Sequence, residues 1–93
     1  MPDFTLRAAT PSDAPLLAAI HESCFPNYWN QEAFTDFFGV AGTHALIADM
    51  AGECAAMMGY RVQHDQGGII TLAVLPGYPR QKLAEAMLAR APM

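Results

Sequence analysis

Apolar and polar positions along the chain change their spacing several times, and each change marks an element. Phe4, Leu6 and Ala8 alternate with Thr5 and Arg7, the period-two pattern of a half-buried strand. Thr10-Pro11-Ser12-Asp13 then reads as a helix start, with Thr10 as N-cap, Pro11 at the first helical position and Asp13 where a capping box usually has Glu or Gln. Leu16, Leu17, Ile20 and Cys24 form one helical stripe, so this helix is expected to run to about Cys24. Phe25-Pro26-Asn27-Tyr28-Trp29-Asn30 breaks it and opens another. Asn30 is the expected N-cap, Trp29 and Phe34 occupy the two positions of a hydrophobic staple, and Phe34, Phe37 and Phe38 make a narrow aromatic face expected to pack in the core.

Gly39-Val40-Ala41-Gly42 ends that helix, and the pattern turns to strands. His44 to Asp49 and the longer run Glu53 to Val62 flank a tight turn at Met50-Ala51-Gly52, which predicts an antiparallel hairpin. Gly59 inside the second run marks either a bulge or the close approach of another backbone. His64-Asp65-Gln66-Gly67-Gly68 reads as the next turn, followed by an apolar, β-branched block from Ile69 to Leu75. Pro76-Gly77-Tyr78-Pro79 stops it, and Leu83, Met87, Leu88 and Ala91 resume a helical spacing. The predicted order is β-α-α-β-β-β-α. This is an α/β (α+β) chain, one domain over residues 1–93, with a mixed, mostly antiparallel sheet flanked by helices. A helix that starts just beyond a buried strand aims unpaired N–H groups and the positive end of its dipole past the strand tip, where an anion such as a pyrophosphate fits.

Composition narrows the function classes. A 93-residue chain buries only about 60–65% of its unfolded surface, so its core is modest. Charged residues make up 15% and the net charge is −4, with five Lys and Arg scattered from Arg7 to Arg90, which argues against a nucleic-acid partner. Asp3 stands where a secretory signal would carry basic residues, and no apolar run approaches the roughly 18 residues of a membrane span. A cytoplasmic protein without a membrane partner is expected, with Cys24 and Cys54 as reduced core thiols. His21, Cys24, His44, Cys54 and His64 show no CxxC or HxxxH spacing, so satisfied or exposed histidines are expected in place of a metal site. There is no Gly-x-Ser-x-Gly elbow and no Walker-type loop.

The run Ile-Thr-Leu-Ala-Val-x-Pro, followed by Arg80-Gln81-x-Leu83-Ala84-x-x-Met87-Leu88, resembles the acetyl-CoA signature of the GNAT superfamily of N-acetyltransferases. The opening strand followed by Arg-x-Ala-Thr-x-x-Asp-Ala-x-x-Leu is similar to the start of many such chains. Cys-Phe-Pro-x-x-Trp-x-x-Glu-x-Phe resembles the branch that acetylates the alanine terminus of a ribosomal protein. The resemblance implies acetyl-CoA as co-substrate, held along Leu72, Ala73 and Val74 by backbone pairing and at Arg80, Gln81, Lys82, Leu83 and Ala84 by the pyrophosphate loop. It implies transfer of an acetyl group to an amine acceptor, with the loop around Trp29 bordering the acceptor groove. Two loop positions depart from the family: Pro79 stands where Gln or Arg is usual, and Lys82 where Gly lets a phosphate approach the backbone. The family's base at the head of the central strand is matched by Gln66 and Gly68, leaving Asp65 as the nearest carboxylate and a weak catalytic candidate. The strands and helix that follow the pyrophosphate helix in the family have no counterpart before Met93. The expected architecture is thus a partial GNAT fold, C-terminally incomplete, with a homodimer in which a second copy supplies the missing wall. The alternative function is a non-catalytic half-fold acting as a dimerising or partner-binding module.

Overall fold

A computed structural model describes residues 4–63 and 66–91. Its elements are β1 (Phe4–Ala8), a 3₁₀ turn (Pro11–Asp13), α1 (Ala14–Cys24), α2 (Gln31–Phe38), β2 (Thr43–Met50), β3 (Glu53–Gln63), β4 (Gln66–Val74) and α3 (Arg80–Arg90). The predicted order holds. The strands form one sheet in the order β1-β2-β3-β4, and every pairing among the described strands is antiparallel.

Local chemistry accounts for most boundaries. The Thr10 start is a 3₁₀ turn before it becomes α-helix, and the Asp13 carboxylate accepts the Thr10 N–H at 2.9 Å. That hydrogen bond is the first cause holding the Asp13 carboxyl below its ordinary pKa, with Arg7 adding to it. Arg7 also donates from Nε to Asp49 at 3.1 Å, joining β1 to β2 on the exposed rim. Asn30 caps α2 by accepting the Ala33 N–H at 2.9 Å, and the Trp29 and Phe34 rings lie 5.3 Å apart as the staple requires. Gly67 and Gly68, expected in a turn, are already strand: they oppose Val62 and Arg61 of β3. Glycine's turn preference is overridden by a ladder that extends almost to the hairpin end.

The sheet is covered on both sides. In β3, Ala55 to Tyr60 apart from Gly59 are all among the buried hydrophobic residues, so the strand reads as a continuous apolar run. On one face Leu46, Met58, Tyr60 and Val74 pack against Leu83, Met87 and Ala91 from α3 and its C-cap. On the other, Ala45, Ile47, Met57 and Ala73 pack against Leu17, Ile20, Phe34 and Phe37 of α1 and α2. Leu88, placed in the apolar spacing of the last helix, is instead 38% exposed. The i, i+4 pair Leu83 and Met87 sets the inward direction of α3, and position 88 lies about 100° away from Met87 around the helix. Cys24 and Cys54, expected as core thiols, are free and half-buried, packed against the margin of the α1/α2-side core.

Two register slips shape the sheet. In the β2–β3 pair the slip falls between Ala48 and Asp49, opposite Ala55. In the β3–β4 pair, Gly59 opposes Thr71 and Tyr60 opposes Ile69, which leaves Ile70 as the extra residue of a bulge. The Gly59 bulge anticipated from sequence is therefore present. At the β2–β3 turn, Ala51 at φ 55° and Gly52 at φ 81° both take the left-handed conformation, as a two-residue primed turn demands. Alanine is strained there by its Cβ, whereas asparagine tolerates the region. Ala51→Asn should therefore stabilise the chain by about 0.5–1 kcal/mol, read as a higher urea midpoint at unchanged slope; a lower midpoint would contradict the turn assignment.

Candidate functional site

Two places on β4 combine backbone geometry with chemically useful side chains. The first is the strand tip. Pro76 and Gly77 occupy the central positions of a turn from Leu75 to Tyr78, Gly77 has φ 91°, and the Tyr78 N–H donates to the Leu75 carbonyl at 3.4 Å. Proline followed by a residue with positive φ is the signature of a type II turn, so Gly77 is required by its conformation. Tyr78 Oη donates to Glu53 Oε2 at 3.0 Å and ties the turn to the start of β3. That hydrogen bond is the main cause raising the Tyr78 pKa. The turn feeds α3, whose first helical hydrogen bond runs from the Leu83 N–H to the Pro79 carbonyl at 3.1 Å. The N–H groups of Arg80 and Gln81 precede that bond and point out of the helix start.

The phase of β4 decides which of its backbone groups face the open edge. The Leu75 N–H donates to the Ala55 carbonyl at 2.8 Å. Alternation then turns the N–H and C=O of Ala73 toward β3 and those of Leu72 and Val74 away from it. The Cys24 thiol reaches the outward Val74 carbonyl at 3.4 Å. Burial pushes the Cys24 pKa up and the positive charge of Arg80 pulls it partly back, so the Arg80 charge lies within electrostatic reach of the Cys24 thiol. Arg80, Gln81 and Lys82 line one open pocket at the start of α3, together with Pro79 and Glu85. Lys82 carries its ammonium 5.7 Å from the centroid of the Phe4 ring. Leu83 is fully buried in the α3-side core, and Ala84 is half-buried. Asp65 lies outside the described residues.

The second place is a groove on the α1/α2 face, at the Ile70 bulge. One part is lined by Trp29, Phe37, Val40 and Ile70 with Asp36 and Arg61, and it adjoins a part lined by His21, Phe25, Asn27, Trp29, Ile70 and Thr71. Ile70 stays 43% exposed, an apolar side chain that the bulge presents to the groove. The aromatic residues split as packing demands: Phe34 and Phe37 are core, and Trp29 is half-buried at the wall. The sequence reading missed His21 as an organiser. It is 4% exposed, its Nδ1 accepts the Trp29 N–H at 2.9 Å and its Nε2 is 3.0 Å from Thr71 Oγ1. The signal was present in the helical stripe, since position 21 lies four after Leu17 on the same face. Among the described residues, no group of three or more His, Cys, Asp or Glu side chains is placed to hold a metal, and no helix is long and apolar enough to cross a membrane.

A sheet ending in a type II turn that presents a helix start, beside an aromatic groove, defines a class that sequence comparison identifies. The sequence pattern of the acetyltransferase (GNAT) family matches residues 14–91, and the chain belongs to that family. Solved structures share its fold. The ribosomal-protein-S18-alanine N-acetyltransferase of Escherichia coli superposes with TM-score 0.80 at 23% identity, over 92% of this chain and 55% of its own. The aminoglycoside 6′-N-acetyltransferase AAC(6′)-Ih of Acinetobacter baumannii superposes with TM-score 0.74 at 14% identity, over 94% of this chain and 67% of its own. The PaiA N-acetyltransferase of Thermoplasma acidophilum, solved with coenzyme A, gives TM-score 0.75 at 11% identity, over 92% and 67%. The chain thus spans about half the length of the Escherichia coli enzyme. No curated protein matches it in sequence.

The reach of the Arg80 charge to Cys24 can be tested directly. Arg80→Ala should move the iodoacetamide alkylation profile of Cys24 to higher pH, because the thiolate loses its nearby positive charge. Peptide mapping should show the Cys54 profile unchanged; a Cys24 profile that does not move would separate the two groups.

Proposed function

We propose that the chain forms the coenzyme-binding part of an acetyl-CoA-dependent N-acetyltransferase, which transfers the acetyl group to an amine acceptor. The observation that carries this reading is the match to the GNAT family over residues 14–91, spanning both the open edge of β4 and the start of α3. The PaiA relative solved with coenzyme A supports the choice of ligand. The outward N–H and C=O of Leu72 and the outward N–H of Val74, whose C=O also takes the Cys24 thiol, offer hydrogen bonds to the amide-bearing arm of the coenzyme, while Ala73 serves the sheet. The exposed N–H groups of Arg80 and Gln81, the Arg80 guanidinium and the positive end of the α3 dipole offer charge to its pyrophosphate.

The two departures from the family loop take physical form here. Pro79 sits at the N-cap with no N–H and no capping side chain, so the loop begins one donor short. The ammonium of Lys82 lies by the Phe4 ring. Leu83 contributes by fixing α3 against the sheet, and Ala84 follows it half-buried. Phosphate recognition then rests on Arg80 and Gln81, with Lys82 lining the same pocket.

The groove beside Trp29 and Ile70 is the proposed acceptor site. His21 is a poor base for an incoming ammonium, since its Nδ1 lone pair already accepts the Trp29 N–H. The weak candidate for the base remains Asp65, which precedes Gln66 in the sequence. The homodimer belongs to the same proposal: the outer edge of β4 pairs with no described strand and can accept one from a second copy. A cytoplasmic site of action is likewise proposed.

A calorimetric titration of the purified chain with acetyl-CoA tests the reading. Binding in the micromolar range, about −8 kcal/mol, is expected, with Arg80→Ala weakening it roughly tenfold, about 1.4 kcal/mol. No heat and no thermal stabilisation at saturating coenzyme would overturn it. Size-exclusion of the coenzyme-bound chain as a monomer would remove the homodimer.

A further inference from the structure

His21 stands out among the described residues as a buried polar side chain within an apolar cluster. Its ring lies 4.4 Å from Phe25, 5.5 Å from Trp29 and 5.5 Å from Phe34, centroid to centroid. Its two nitrogens join three elements. Nδ1 accepts the Trp29 N–H, so it must carry a lone pair and the ring proton sits on Nε2. Nε2 then donates to Thr71 Oγ1 on β4. The end of α1, the loop wall at Trp29 and the strand next to the Ile70 bulge are thereby held in one chain of hydrogen bonds.

Only the neutral ring can make both bonds. In the imidazolium both nitrogens are donors, so the Trp29 N–H would face another N–H and lose its acceptor. We propose that His21 is a positioning residue with a pH threshold: the neutral ring holds the Trp29 wall of the groove to β4, and a second proton releases it. Burial lowers the pKa of His21 below 6.5 and is its sole cause. The surrounding titratable groups agree with that. On α1 these are Glu22, exposed, and Cys24, whose thiol donates to Val74. The loop carries Tyr28, and α2 carries Glu32 and Asp36, all exposed. The strand β3 brings Arg61, also exposed, and β4 brings the uncharged Thr71.

The sign follows from linkage. The unfolded chain protonates His21 near the ordinary value of about 6.5, while the folded chain resists until lower pH. The contribution of His21 is fully present above 6.5 and is lost as pH falls through its folded value. The groove becomes a site that is built near neutrality and loosened by acid, with the change made at one ring.

The inference takes its meaning from the proposed acceptor groove, but its test needs neither coenzyme nor acceptor. A chain that fails to bind acetyl-CoA still answers it. Trp29 is the single tryptophan of the chain and touches the ring, so its fluorescence reports the wall. The whole chain is titrated from pH 8 to pH 5, following Trp29 emission, far-ultraviolet circular dichroism and the His21 ring nitrogens by NMR. The expected result is the Nε2–H tautomer at pH 8, a His21 midpoint below 6.5, and a Trp29 emission change at that midpoint with secondary structure retained. His21→Asn keeps an acceptor near the place of Nδ1 but does not titrate, and should abolish the emission change. An Nδ1–H tautomer, a midpoint at or above 6.5, a flat Trp29 signal, or a transition that persists in His21→Asn would overturn the proposal. If that variant does not fold, the tautomer and midpoint of the natural chain decide.

Discussion

A missing side chain at Gly59 sets the geometry of the α1/α2 face. A Cβ there would lie 3.2 Å from Phe37 Cζ and 3.3 Å from Thr71 Cγ2, so glycine lets the ring of α2 settle closely over β3, where any side chain would push Phe37 or Thr71 back by a few tenths of an ångström. The same residue is the last one in register before the slip that produces the Ile70 bulge. With Gly59 opposite Thr71, the threonine faces α1 and meets His21; one position on, the bulge turns Ile70 into the groove. Helix packing, strand register and groove lining are three consequences of one close approach.

The other end of β4 works by backbone direction. Alternation from the Leu75 bond to Ala55 turns the peptide groups of Leu72 and Val74 to the open edge, and the Pro76-Gly77 turn then redirects the chain so that α3 starts at the same edge. The α3 side of the core, through Leu83 and Met87, fixes the helix axis and with it the aim of its N-terminus. One strand therefore links the proposed acceptor groove to the proposed coenzyme strip: its side chains serve the first and its outward peptides the second.

The architecture was largely legible because each element carries its own period and its own punctuation. Asn30 capping α2, the Trp29–Phe34 staple and the Ala51-Gly52 turn are local, and local signals survive folding. What failed to show was whatever depends on partners distant in sequence. Gly67 and Gly68 look like turn residues until β3 is available to pair with them. Leu88 belongs to the apolar spacing, yet the inward direction of α3 is chosen by Leu83 and Met87 against a sheet the helix alone does not reveal. His21 sat on a readable stripe, but its bond to Thr71 spans fifty positions and its role is fixed by that distant partner. The outward direction of Leu72 and Val74 was equally hidden, since it depends on register with β3 and not on side-chain type.

The outward peptides of β4 and the start of α3 are proposed to form one coenzyme strip. Amide hydrogen exchange followed residue by residue, with and without saturating acetyl-CoA, addresses it most directly. The account predicts added protection at Leu72, Val74, Arg80 and Gln81, with the rate at Ala73, already bonded into the sheet, unchanged. Unaltered rates at those four amides, or equal protection at Ala73, would contradict it.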